Sequence, residues 1–204
     1  STFEYKINNT IIENLESKIQ IFIDNTLKNK NNVKIGIAHG LSGVALCMAY
    51  SNNFNKNELL KLLELENTKK LETEDVYKWC KGLAGMVQVR LHLKKLGLIN
   101  DQYLETIINK FENILYKIPN DDCLCHGSSG ILITLKMLYE ETGHDKWLNK
   151  LKVIWNNVNY NKYFEGYKIP KLKHIESVGL FDGISGIAWT YFCLLYTSPS
   201  PRDK

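Results

Sequence analysis

A Gly-x-x-Gly step occurs four times along the chain, and it restricts the fold more than any other feature. The copies are Gly40-Leu-Ser-Gly43, Gly82-Leu-Ala-Gly85, Gly127-Ser-Ser-Gly130 and Gly183-Ile-Ser-Gly186. Their leading glycines lie 42, 45 and 56 residues apart. A period in the forties is what one helix pair with its turns requires, so the spacing predicts an array of helical hairpins, open or closed. Each step opens an apolar run, such as Val44–Tyr50, Met86–Leu93 or Ile131–Leu138. Runs that are apolar around most of their circumference fit buried helices. Residues 10–28 and 101–117 instead carry Ile, Leu and Phe at three- and four-residue spacing between Lys, Glu and Asn, which predicts amphipathic outer helices. Gly97 and Gly143 stand where C-terminal caps are expected, and Pro119-Asn120-Asp121 opens a loop. The paired glycines fit inner helices whose first turns crowd together, because a missing Cβ permits close approach. A single such step would mean only packing or a turn.

What differs between the copies is the side chain at the mouth of each unit: His39, Cys80-Lys81, Cys125-His126 and Asp182. Zinc favours thiolate and imidazole ligands in a tetrahedron, and a catalytic zinc leaves one position open. Cys80, Cys125 and His126 would supply three ligands from two adjacent mouths, with Cys123 as a competitor two residues away. A cysteine taken singly is as readily a small buried hydrophobe, and Cys47, inside an apolar run, is read that way. His39 heads its own unit and should approach the same place; an imidazole can pass a proton in either direction near neutrality. The alternative for His39 is a capping or structural role. His92, His144 and His174 are assigned to surface or packing, and N-capping suffices for Asp182.

Composition narrows the class. With 204 residues, 44% hydrophobic and 24% charged, the chain can bury one sizeable core. No run is long enough to span a bilayer and no signal-peptide pattern opens the sequence, so a cytoplasmic location is the expectation, with peripheral membrane association left open. Five unevenly spread cysteines do not form a disulfide framework and fit metal binding or catalysis better. The net charge of +4 comes from dispersed lysines, which gives no support to nucleic-acid binding.

Taken together, Trp79-Cys80-Lys81-Gly82, Cys125-His126-Gly127, Ala38-His39-Gly40 and Phe181-Asp182-Gly183 resemble the motifs of the lanthipeptide synthetase C-like family, the lanthionine cyclases, over about residues 10–192. The resemblance implies an all-α fold, an α/α toroid of nested helical hairpins, here an incomplete ring. It implies one Zn2+ held by Cys80, Cys125 and His126. It also implies addition of a peptide cysteine thiol to dehydroalanine or dehydrobutyrine, giving a thioether ring, with His39 as proton donor. The partner would be a dehydrated precursor peptide, with a dehydratase and an exporter as further members of a complex. Family cyclases are about twice this length, so the chain looks like their C-terminal portion. An arginine common before the first ligand cysteine is replaced here by Asp75-Val-Tyr-Lys78, and Lys81 stands where an aromatic or histidine is commoner.

Two readings share the zinc: an enzyme of the same scaffold that adds glutathione or another thiol, and a peptide-binding module whose zinc is structural. A fourth protein ligand, such as Cys123, would favour the module. A glycosidase on an α/α barrel needs two placed carboxylates, whereas the mouths offer mainly thiols and imidazoles. Finally, Cys193–Asp203 resembles the translation of a sequencing adapter. The native domain is therefore expected over 1–192, with 193–204 a non-native tail.

Overall fold

The structure, a computed structural model, describes residues 9–51, 54–71, 74–116, 119, 121–158 and 178–196. His174 and residues 197–204 lie outside this set. The described residues form eight α-helices and no strands: α1 (Asn9–Lys28), α2 (Leu41–Met48), α3 (Lys56–Asn67), α4 (Leu83–Lys95), α5 (Asp101–Glu112), α6 (Ser128–Thr142), α7 (Asp145–Asn157) and α8 (Ile184–Tyr196). Each Gly-x-x-Gly step starts an inner helix, α2, α4, α6 or α8. These pack in succession, α2 on α4, α4 on α6 and α6 on α8. The outer helices α3, α5 and α7 fold back on α2, α4 and α6 respectively, and α1 lies against α3. This is the nested hairpin array that the period predicted.

The division into inner and outer helices follows from side-chain pattern. α5 buries Leu104, Ile107, Ile108 and Phe111, one stripe at helical spacing. α4 buries residues all round: Val89 and Leu93 join the core beneath α1–α3, while Leu83, Met86, Val87 and Leu91 join the core shared with α5–α8. Asn55 and Asn100 cap α3 and α5 by accepting backbone N–H bonds, and Gly97 and Gly143 leave α4 and α6 at φ 69° and 66°. α5 ends at Glu112, short of the expected 117, in a turn that no glycine announces.

Each inner helix sits close over its own entrance loop. A Cβ on Gly85 would overlap the Trp79 carbonyl oxygen and approach Ile37 Cγ2 of the preceding unit at 2.7 Å. On Gly130 it would overlap the Leu124 carbonyl oxygen and lie 3.2 Å from Trp79 Cβ. The second glycine is thus a seat for its own loop and for the neighbouring unit's loop at once. Gly130→Ala should cost about 1–3 kcal/mol, as overpacking does, read from the urea midpoint.

One expectation needs correction, and the capping alternative for His39 falls. Cys47 is exposed, not core: α2 turns Leu41, Ser42, Ala45 and Met48 inward, and Cys47 falls on the opposite side. Burial in a short helix is one-sided even where the sequence is apolar throughout. His39 does not cap α2, because Gly40 occupies that position without a side-chain bond.

Among the buried polar groups is an ion pair between α3 and α4. Arg90 Nη2 donates to Glu66 Oε2 at 3.0 Å, with both side chains fully buried. Glu66 Oε1 accepts from the Gly36 and Ser42 backbone N–H groups at 2.9 Å each, and Ser42 Oγ donates to Oε2 at 2.6 Å. Arg90 Nη1 also donates to Ser42 Oγ, at 3.0 Å. The carboxylate thereby fixes the loop carrying His39 to the hairpin behind it. Gly36 in that loop has φ 97° and lies so close to Cys80 and Lys81 that a Cβ would overlap their backbone.

Candidate functional site

Backbone hydrogen bonds join one mouth to the next. The Ala38 N–H donates to the Cys80 carbonyl at 2.9 Å, and the Trp79 N–H to the Cys125 carbonyl at 2.9 Å. The Cys125 N–H then donates to the Phe181 carbonyl at 2.7 Å. Side chains that are 40 or more residues apart are therefore held at one end of the inner helices by the peptide chain itself. The Trp79 indole stacks on Phe181 at 5.0 Å between ring centroids, and its N–H donates to Gln88 at 2.9 Å. Gln88 in turn donates to Thr134 on α6 at 2.9 Å.

This arrangement gathers Cys80, Cys125 and His126, whose ligand atoms all lie within 4.8 Å of one another. Points on a tetrahedron with metal–sulfur bonds of about 2.3 Å lie about 3.8 Å apart, a spacing that this bound admits. Burial, then the charge of Lys78, lowers the His126 pKa, leaving a neutral imidazole with a lone pair to offer. Burial and the adjoining Cys80 thiol push Cys125 up to about 12. Two thiolates so placed repel each other, and a divalent cation between them removes that penalty.

Cys123 does not join this group. It forms a second one with Asp121 and His126, again with ligand atoms within 4.8 Å. Its sulfur accepts the His126 backbone N–H at 3.3 Å and its own N–H donates to Asp121 at 2.8 Å, so it shapes the turn that presents His126. Burial raises its pKa to about 11.

A cavity of about 530 Å³ opens beside Cys80 and His126 and is also lined by His39, Lys81 and Asp75, among others. Asp75 holds two lysines beside it, Lys78 at 2.6 Å and Lys81 at 2.7 Å. Burial works to raise the Asp75 pKa, but the two ammonium groups outweigh it and the net shift is downward. Asp182 is exposed at the adjoining mouth, where its charge acts on His126. The other described histidines stand apart: His92 bonds and stacks with Tyr50, and His144 precedes α7 in an exposed position. Asp75, Gln88, Glu66 and Arg90 were not singled out from sequence. Of these only Arg90 left a signal, as a charge in the middle of an apolar run.

The family model described as "Lanthionine synthetase C-like protein" matches residues 2–203. A solved structure described as "Nisin cyclase" matches with a TM-score of 0.61 at 21% sequence identity, over 81% of this chain and 47% of that one. The chain therefore spans about half the length of that cyclase, and the likeness establishes the helical toroid fold. A comparison with curated proteins gave no match.

Proposed function

We propose a zinc-dependent, thioether-forming reaction for this chain, which belongs to the lanthionine synthetase C-like family. The observation that carries the proposal is the meeting of Cys80, Cys125 and His126 across two units, at a cavity lined by Cys80, His126 and His39. Three ligands leave a tetrahedral ion one place for a substrate, and the separate grouping of Cys123 favours this open arrangement over a closed structural site. A metal held there supplies the positive centre that favours the thiolate of a substrate cysteine near neutral pH.

The protein's own groups do the rest. Addition forms a bond between sulfur and the β-carbon of a dehydroalanine or dehydrobutyrine. The π pair of the broken double bond moves toward the neighbouring carbonyl as an enolate. His39 then delivers a proton to the α-carbon and regains one from solvent, which balances the proton lost by the thiol. The enolate oxygen develops beside Lys81, whose ammonium Asp75 holds at the cavity wall. Trp79 and Phe181 form an aromatic wall next to Cys125.

The direct test incubates the zinc-loaded protein with a dehydrated peptide bearing one cysteine, then counts free thiols by alkylation and mass spectrometry. Loss of the alkylatable thiol without a mass change is expected; a thiol count equal to that of the peptide alone would sink the proposal. His39→Asn should keep the metal and slow the addition about a hundredfold. If that variant cyclises at the wild-type rate, the proton donor is another group.

A further inference from the structure

The cavity beside Cys80 and His126 is charged in a way that the ring-forming reaction does not need. Lys34, Lys69 and Lys70 line it together with Lys81, against one carboxylate among the described lining residues, Asp75. Asp75 is already engaged by Lys78 and Lys81. Of the other acidic groups described nearby, Glu66 is buried against Arg90, Glu64 accepts the Tyr103 hydroxyl at 2.6 Å on the outer side, and Asp182 stands at the adjoining mouth. Lys69 is fixed in place by donating to the Lys30 carbonyl. Lys34 and Lys70 are exposed and make no ion pair among the described residues. An excess of ammonium groups around a walled cavity concentrates field of one sign where a ligand must enter.

We infer that this lysine rim is a binding subsite for carboxylates on the substrate peptide, selecting segments rich in aspartate or glutamate near the reacting cysteine. The inference rests on the reading that a peptide enters this cavity. Lys34 precedes the His39 loop and Lys69-Lys70 follow α3, so the three lysines reach the cavity from the first hairpin, while the ligand cysteines come from later units. A peptide bridging the two would present an acidic stretch to one side and its thiol to the other. Ion pairs at so open a rim are individually weak and screened by salt. Their joint effect is selectivity among peptides and faster capture.

The test uses the full chain and fluorescein-labelled short peptides with one cysteine flanked by glutamate, glutamine or lysine, read by anisotropy. The glutamate peptide should bind roughly tenfold more tightly than the glutamine one, and the advantage should fade between about 50 mM and about 500 mM salt. Lys34→Glu together with Lys70→Glu should abolish the advantage while leaving zinc content and helix content unchanged. Equal binding of the glutamate and glutamine peptides, or an advantage that survives high salt, would overturn the inference. Acidic-peptide selectivity in a protein that forms no thioether would leave the subsite standing and remove the cyclase reading. Thioether formation with no preference between the peptides would do the reverse.

Discussion

Cys125→Ala is expected to yield a folded protein that retains no zinc through desalting and forms no thioether. The expectation of a preserved fold rests on backbone. Cys125 is held by its N–H to Phe181 and by its carbonyl to the Trp79 N–H, and alanine makes both bonds equally well. What disappears is one of two thiolates in a three-residue ligand set. The remaining thiolate and imidazole cannot hold the ion against dilution, because structural-zinc affinities of about 10–16 kcal/mol depend on the full set. Elemental analysis should fall from about one zinc per chain to near zero, with an unchanged far-ultraviolet circular dichroism spectrum. Cys123→Ala is the control, since its sulfur belongs to the other group and serves a turn. Zinc lost from Cys123→Ala and kept by Cys125→Ala would mean that the ligand set is misassigned.

The second large effect is on stability and arises away from the ligands. Glu66→Ala leaves the Arg90 guanidinium fully buried without its counter-charge and deprives the Gly36 and Ser42 N–H groups of their acceptor. Breaking a buried pair in this way costs about 3–5 kcal/mol, a fifth or more of what holds a typical domain together. Urea denaturation should show the full loss. The paired replacement Glu66→Leu with Arg90→Met should recover the part due to the unpaired charge and leave the cost of the two N–H groups without an acceptor. If Glu66→Ala unfolds at the wild-type midpoint, the network does not hold the His39 loop.

These two predictions draw on residues that differ sharply in how far sequence exposes them. Cys80, Cys125, His126 and His39 can be grouped from the sequence alone, because side-chain identity carries metal chemistry and the repeat supplies the register. The inner helices are legible for the same reason: only buried helices are apolar on every side. Glu66 is hidden. It occupies the seventh place after Leu59 on a helix rich in other charges, and nothing local tells an inward carboxylate from an outward one. Cys47 misleads in the opposite direction, since an apolar neighbourhood in sequence becomes an exposed flank of α2. The close seating of Gly85 and Gly130 is half legible. Crowding is expected, but that the crowding partners are the helix's own loop and its predecessor's depends on the three-dimensional path.

The hydrogen bonds that run from Ala38 to Cys80, from Trp79 to Cys125 and from Cys125 to Phe181 use peptide groups alone. The positions directly before the leading glycines, now His39, Lys81, His126 and Asp182, are consequently interchangeable as far as the scaffold is concerned. A new side chain at any of them alters reactivity without disturbing what aligns the four loops. Chemistry and architecture are thereby placed under separate selection, and a scaffold of this kind can diversify its reactions one substitution at a time.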